Sequence, residues 1–434
     1  MEILSLGEKI KKGRKELNMT LKDLAGERIT PGQISLVESG KSNPSMDLLE
    51  YLATTLKTSV EHLMESEETQ AEKICLYYEN IAEAYILKDD IRCAEQYIEK
   101  ALYYAEKFNL EYRKAKNLYL RAKIYLVNEE LQLAQQFFLS ANVLFVKNNC
   151  YEEIVNTFLN LGKITYILKA YHSSNNYFQQ SEKVFMDNDI GNDFILGEIY
   201  YYIASTHFKL ENMDKAISYS FLAKEKFNQL DNKQEYARTL LMLSEEYSKL
   251  GDINKAIKYS KKTLEAFKDT EDLVLIAEIE NNLGKLFYEF ENIEESFKHL
   301  MKAREIRQKN NDSRITETLM SICENYIRLK DLDNSNKVLT EILESINDGD
   351  NDGLLDYYLL KYKICLLEDN FDEAENTLHV ALNFAKNIDC LKQAGELSIM
   401  IGKYYIENKR DKEAALYLNE GVELFKKIGI LKEA

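Results

Sequence analysis

Asp348, Asp350, Asp352 and Gly353 stand in the order that opens a calcium-binding loop, where carboxylates supply hard oxygen ligands. Such a loop needs a bidentate glutamate six residues after the glycine, and that position is Leu359. A solvated acidic loop is the better reading. The cysteines at 75, 93, 150, 323, 365 and 390 form no CxxC pair, and the five histidines are scattered. The thiols therefore read as buried, reduced small hydrophobes. No Gly-rich phosphate loop, nucleophile motif or metal-ligand spacing occurs. The expectation is a chain that binds rather than catalyses, with neither metal nor cofactor.

Residues that could bind concentrate in ITPGQISLVESGKSNPS, residues 29–45, which holds both prolines of the 434-residue chain. Thr30 can cap a helix whose first position is Pro31, where a missing N–H costs nothing. Ile34 and Val37 point towards Leu24 and Leu49. The opposite side carries Gly32, Leu36 and Ser39, flanked by Gln33 and Ser35, which is either a hydrogen-bonding surface or a solvated helix face. Gly40 ends the helix. Pro44 and Ser45 open another core helix, and SVEHLM closes the region. Before it, LGEKIKKGRKEL reads as a basic amphipathic helix with Leu6, Ile10 and Leu17 on one face, and MTLKDLA starts at a capping Thr20.

From residue 70 on, proline is absent and helical patterning is unbroken. A small residue, an aromatic three later, a second small residue twelve after the first and a bulky one four beyond it recur. The copies begin Ala82, Tyr85, Ala94, Ile98, then Ala122, Tyr125, Ala134, Phe138. Gly162, Thr165, Ser174, Phe178 and Ala204, His207, Ala216, Ser220 follow. Five more are led by Ser244, Gly284, Cys323, Tyr362 and Gly402, at spacings of 39 to 42 residues. Small residues let two antiparallel helices approach, and Asp or Asn in the intervening turns can cap the second helix. This is a repeat array.

Charge is uneven. The chain carries −17, but residues 1–66 hold nine Lys/Arg against ten Asp/Glu, so the deficit lies in the remainder. An acidic body repels polyanions. No apolar run is long enough for a membrane helix, and MEILSLGEKIKKGRKEL does not read as a signal peptide, so a cytoplasmic location is expected.

Residues 5–65, and ISxxExGxxxPS above all, resemble the helix-turn-helix domain of the phage-repressor and Xre class. That resemblance implies that the helix after Thr30 enters the major groove. Carried over by position, Pro31, Gly32, Gln33, Ser35 and Leu36 would face bases, with Gln33 bonding adenine or a phosphate and Leu36 meeting a thymine methyl, and Thr30 would belong to the same DNA-binding surface. Thr20, Lys22, Lys41, Ser42 and Asn43 would meet phosphates. In the class, residues at the positions of Arg14 and Glu38 pair with each other; the other role for Arg14 is a DNA contact. The link GERI is about one residue shorter than usual and lacks the glycine before the cap.

The repeats resemble tetratricopeptide repeats, with a longer period and no closing proline; HEAT repeats match the period but not the small-residue spacing. The resemblance implies an all-α fold, in which a five-helix Xre-type domain over residues 1–66 precedes a right-handed α-solenoid of about nine tetratricopeptide-like repeats over residues 67–434. The combination looks like the peptide-responsive quorum-sensing regulators of the Rgg, Rap, NprR, PlcR and PrgX group, most like NprR in length. It implies a transcription regulator that binds a double-stranded DNA operator and a short linear signalling peptide, as a homodimer or higher homo-oligomer.

Inner-face positions, one turn either side of each small residue, are Asn160, Lys163, Tyr166, Tyr201, Tyr202, Ser205, Phe208, Glu245, Asn281, Asn282, Lys285, Tyr288 and Glu324. About half are expected to touch ligand, and Asn suits a peptide backbone because its amide both donates and accepts. The same resemblance offers a second reading, a repeat domain that binds a phosphorelay response regulator, for which Gln96, Gln132, Gln135 and Gln136 are the glutamines near the first repeats.

Overall fold

The computed structural model describes residues 2–267, 272–347 and 349–430, and every regular element among them is an α-helix. Asp348 lies outside the described residues, while Asp350 caps a helix by accepting from the Gly353 N–H at 2.9 Å. The chain divides into two compact units, one up to Leu210 and one from Glu211.

The first unit opens with five short helices, α1 (Leu6–Glu16), α2 (Leu21–Ala25), α3 (Pro31–Glu38), α4 (Met46–Thr55) and α5 (Val60–Met64). Ser5, Thr20 and Thr30 each start a helix with a capping box, so the side chain accepts from the third N–H and the third side chain returns the bond. Ile10, Leu24, Ile34, Val37 and Leu52 form their shared core. Leu17 does not join it: it is the exposed C-cap of α1. Between α2 and α3, Gly26 adopts φ +54°, and a Cβ there would meet the Tyr51 hydroxyl at 2.5 Å. The turn glycine therefore sits at the start of the link rather than before the cap.

Helix pairs follow without interruption. In the first unit they are α6 (Glu67–Leu87) with α7 (Ile91–Lys107), α8 (Glu111–Val127) with α9 (Leu131–Lys147), and α10 (Tyr151–Ile167) with α11 (Tyr171–Asp187), then α12 (Asp193–Lys209). In the second unit α13 (Met213–Gln229) precedes α14 (Lys233–Lys249) with α15 (Ile253–Phe267), and α16 (Leu273–Glu289) with α17 (Ile293–Lys309). Then come α18 (Ile315–Arg328) with α19 (Leu332–Ser345), α20 (Asn351–Leu367) with α21 (Phe371–Asn387), and α22 (Leu391–Glu407) with α23 (Asp411–Lys427).

The motif explains each pair. Ser174 Oγ donates to the Gly162 carbonyl at 2.9 Å, and Ser296 Oγ to the Gly284 carbonyl at 2.7 Å. These are the two small positions of one copy, so the helices touch there. A Cβ on Gly162 would strike the Phe178 ring. The motif's aromatic position closes the helix: the carbonyls of Tyr85, Tyr125, Tyr247 and Phe287 accept from the N–H five residues on. The residue between is left-handed, and it is seldom glycine: Asp89, Glu129, Lys169, Glu291 and Lys330 all have φ near +60°. Asp90, Asp252, Asn292, Asp331 and Asn370 cap the second helices as expected. Cys75, Cys323 and Cys365 are buried, and Cys93, Cys150 and Cys390 are partly exposed. Among the described residues no helix is long and apolar enough to cross a membrane.

Two copies break the pattern, with Ser220 in the fourth and Ser260 in the fifth at the bulky position. Where other copies place Ile98, Phe138 or Phe178, the fourth has Ser220, and the space is taken by a carboxyl group. Glu246 of α14 is fully buried and accepts from Ser220 Oγ at 2.7 Å, while its second oxygen has no partner. Burial pushes its pKa up to about 8, against the modest counter-effect of the Ser220 bond. The folded chain thus holds a proton that the unfolded chain releases near pH 4.5, and stability falls as pH rises between those values. Glu246→Gln should abolish this contribution. Its unfolding free energy from urea titration should exceed the parent's increasingly from pH 5 to pH 9, by roughly 1–3 kcal/mol at the alkaline end. A constant difference across that range would exclude the mechanism.

Candidate functional site: the face of the third helix and the first helices of the repeats

Two close approaches fix α3 on its inner side. A Cβ on Gly7 would lie 2.5 Å from the Val37 carbonyl oxygen, so α1 runs directly against the end of α3. Arg14 then grips Glu38 in a two-pronged pair, Nε to Oε1 at 2.6 Å and Nη2 to Oε2 at 3.0 Å, with Nη1 donating to the Met19 carbonyl at 2.9 Å. Both side chains are largely shielded from solvent. Arg14 is therefore a structural partner of Glu38, as one of its two readings held.

The outer side is left bare. Gly32, Gln33, Ser35 and Leu36 are exposed, Leu36 at 46%, while Ile34 and Val37 face the core. Thr20, Lys22, Thr30, Pro31, Lys41, Ser42 and Asn43 are exposed around them. Gln33 is partly committed: its carbonyl accepts from the Thr30 N–H at 3.0 Å, which leaves only its amide N–H groups to offer. A two-bond contact with adenine needs both halves of the amide, so in this geometry Gln33 is a donor.

Beneath the helices, Lys9 is buried and donates to the carbonyls of His62 at 2.8 Å and Glu65 at 2.7 Å. Gln70, in the first turn of α6, exchanges two hydrogen bonds with the backbone of Leu4, at 3.1 and 2.9 Å. These residues tie the five helices to the repeats. Gly7 and Gln70 carry no local signal in the sequence. A lysine in an otherwise apolar register at position 9 was the only signal.

The repeat residues separate into groups. In the first unit, Lys163, Tyr166, Tyr201 and Tyr202 come together: the Lys163 ammonium is 3.0 Å from Glu198 and 5.0 Å from the Tyr202 ring, and Tyr166 meets that ring edge-on. Asn160 turns instead towards α8, donating to the Tyr119 hydroxyl at 3.0 Å. Phe208 is half-buried and Ser205 is buried.

In the second unit, Lys285, Tyr288 and Glu324 line one recess of about 220 Å³ together with Gly284, Glu289, Leu300 and Ser321. Lys285 pairs with Glu317 at 2.7 Å and Glu324 with Lys363 at 3.1 Å, so neighbouring first helices are already cross-linked by charge. Glu245 is exposed and Asn282 half-buried. Asn281 is 1% exposed, and its carbonyl oxygen has no partner, so it stands behind the surface rather than on it. Among the described residues no group of three His, Cys, Asp or Glu side chains is placed to hold a metal.

Residues 10–63 match the helix-turn-helix family, and residues 196–269 match the tetratricopeptide repeat family. No curated protein sequence matches the chain. Among solved structures, the apo form of RapI is similar with a TM-score of 0.63 at 14% identity, over 83% of this chain and 99% of that one. The apo form of the quorum sensor NprR from B. thuringiensis is similar with a TM-score of 0.56 at 16% identity, over 97% and 100%. A Rap protein complexed with Competence and Sporulation Factor gives 0.51 at 13% identity, over 83% and 99%.

The Arg14–Glu38 pair predicts its own test. Arg14→Ala strands a shielded carboxylate, at a cost of about 3 kcal/mol, and should speed amide exchange in α3 by roughly a hundredfold. Arg14→Met with Glu38→Leu should restore most of the protection; failure of both to alter exchange would show that the pair does not hold α3. The chain thus joins an Xre-type helix-turn-helix domain to a tetratricopeptide-repeat domain, and shares the fold of NprR and the Rap proteins.

Proposed function

We propose that this protein is a cytoplasmic transcription regulator. Residues 1–66 bind operator DNA, and residues 67–434 bind a short signalling peptide that alters oligomeric state and thereby DNA binding. The observation that carries this reading is the bare outer face of α3, held from within by Gly7 and the Arg14–Glu38 pair. The likeness to a quorum sensor and to a Rap protein solved with a signalling factor supports the peptide half.

The chemistry fits a weak single grip. Lys22 and Lys41 flank α3, but the head as a whole is nearly neutral. Affinity for phosphates then depends on few contacts, and pairing two heads supplies the rest through effective concentration. On the repeat side, the recess around Tyr288 and the cluster around Tyr202 offer aromatic surface beside paired charges, which suits a peptide carrying both apolar and polar side chains. The peptide acts only through differential affinity for the assemblies.

A second reading rests on the RapI likeness, which spans nearly all of that chain. Here the repeats bind a response regulator and DNA is dispensable. Gln96, Gln132 and Gln136 lie exposed on α7 and α9, and Gln135 is half-buried.

A gel shift on the gene's own upstream region, with and without synthetic heptapeptides from the C-termini of small neighbouring reading frames, tests the first reading. A peptide should move the apparent affinity by about tenfold or more. Gln33→Glu keeps the capping box but sets a carboxylate towards phosphates, and should weaken retention by roughly tenfold at low salt. No retention under any condition, with binding of a response regulator intact in Gln33→Glu, would replace the first reading by the second.

A further inference from the structure

The first repeat lacks what every later one in its unit has: a preceding pair. On α8, Asn117, Leu120, Arg121 and Ile124 face the pair before them. Asn117 donates to Glu79 at 2.7 Å, Arg121 pairs with Glu99, and Leu120 and Ile124 join the core of Ala82, Ala94 and Ile98. On α10 the matching positions, Thr157, Leu161 and Ile164, are likewise buried. Forty residues earlier the same register falls on Tyr77, Asn80, Ile81 and Ala84 of α6. Among the described residues no helix covers them. Tyr77 is 48% exposed, Asn80 and Ala84 are exposed, and together with Ile81, Tyr85 and Lys88 they line a mainly apolar recess of about 340 Å³.

A repeat array normally ends on a polar capping surface, because an open end leaves a core half built. We propose that this face of α6 docks the same face of a second copy of the chain, α6 against α6. Three features favour a copy over another partner. The recess contains no carboxylate in a chain of net charge −17, so it is a place where two such chains meet without acidic repulsion. The patch is one helix with apolar and small residues on a single stripe, which is self-complementary about a two-fold axis. The head is anchored to the start of this same helix through Gln70 and Lys9, so a paired α6 pairs the heads.

The dimensions are compatible with paired half-sites. In an antiparallel contact crossing near Ile81, the two Glu67 ends lie on the order of 40 Å apart at 1.5 Å per residue. Half-sites one helical turn apart are separated by about 34 Å. Ala84 and Asn80 flank the crossing and allow close approach, with Tyr77 and Tyr85 stacking outside. The docking surface stands on packing alone; only its consequence for DNA rests on the function proposed above.

Sedimentation of the full chain across the micromolar range should show a dimer. Ile81→Glu should raise its dissociation constant by at least about tenfold, since two carboxylates would be forced together, whereas Ile81→Leu should not. Asn80→Cys, at an exposed position that does not threaten folding, should give a covalent dimer on oxidation that the parent lacks. A chain that stays monomeric throughout, or a dimer indifferent to Ile81→Glu and uncrosslinked through Cys at 80, overturns the proposal, and capture of a different helical partner by this face counts the same way. In the gel shift, Ile81→Glu should lose two-half-site retention. If the dimer forms through α6 but no DNA is retained, the surface stands and the DNA reading falls.

Discussion

Two helices of a pair approach most closely where small side chains meet, and this contact sets the rest of the molecule. Ser174 and Ser296 satisfy it doubly: each is small enough for the crossing, and each hydroxyl finds the carbonyl of the residue it touches. A larger residue at Gly162 would strike Phe178. Once the crossing is fixed, the residue three later must end the helix, and its carbonyl closes the turn around a left-handed residue. The period near forty is the length of chain needed to reach the next crossing. The side of each first helix that meets the preceding pair is fixed by the same crossing, which is why the vacant stripe on α6 can be identified residue by residue.

The head obeys a different constraint. With five short helices it has little core, and α3 must be stiff enough to present a surface while only Ile34 and Val37 bury side chains. Stiffness comes from the ends. Thr30 and Gln33 close its start, and Gly7 with Arg14 closes its finish. The capping role of Gln33 limits what its amide can recognise, so a local stability device also narrows specificity.

Much of this was legible in the sequence because it is local or periodic. Caps at Thr20 and Thr30, the proline at the first helical position and the small residues at fixed offsets each depend on neighbours a few residues away. The Arg14–Glu38 pair was legible only through resemblance. What escaped depends on distant packing. Ser220 looks like a lost core residue until Glu246, 26 positions on, is seen to fill the gap. Asn281 and Ser205 occupy groove-like positions in the repeat yet are buried. The left-handed turns carry no glycine signal, since Glu, Lys and Asp stand where glycine is usual, at a cost on the order of 1 kcal/mol each.

Charge then connects the parts. The repeats are strongly acidic, so their bodies repel one another and DNA, and the near-neutral head compensates little. The first helices of successive pairs are themselves coupled by charge. Those couplings are ion pairs: Lys163 to Glu198 in one unit, Lys285 to Glu317 and Lys363 to Glu324 in the other. Each spans two successive first helices. A ligand bringing its own carboxylate or ammonium exchanges such a bond rather than adding one. Its net affinity is therefore small per contact, and its leverage on the spacing between helices is large. A coupling of 1–3 kcal/mol, enough for about a 5- to 150-fold change in a linked equilibrium, needs only one or two such exchanges.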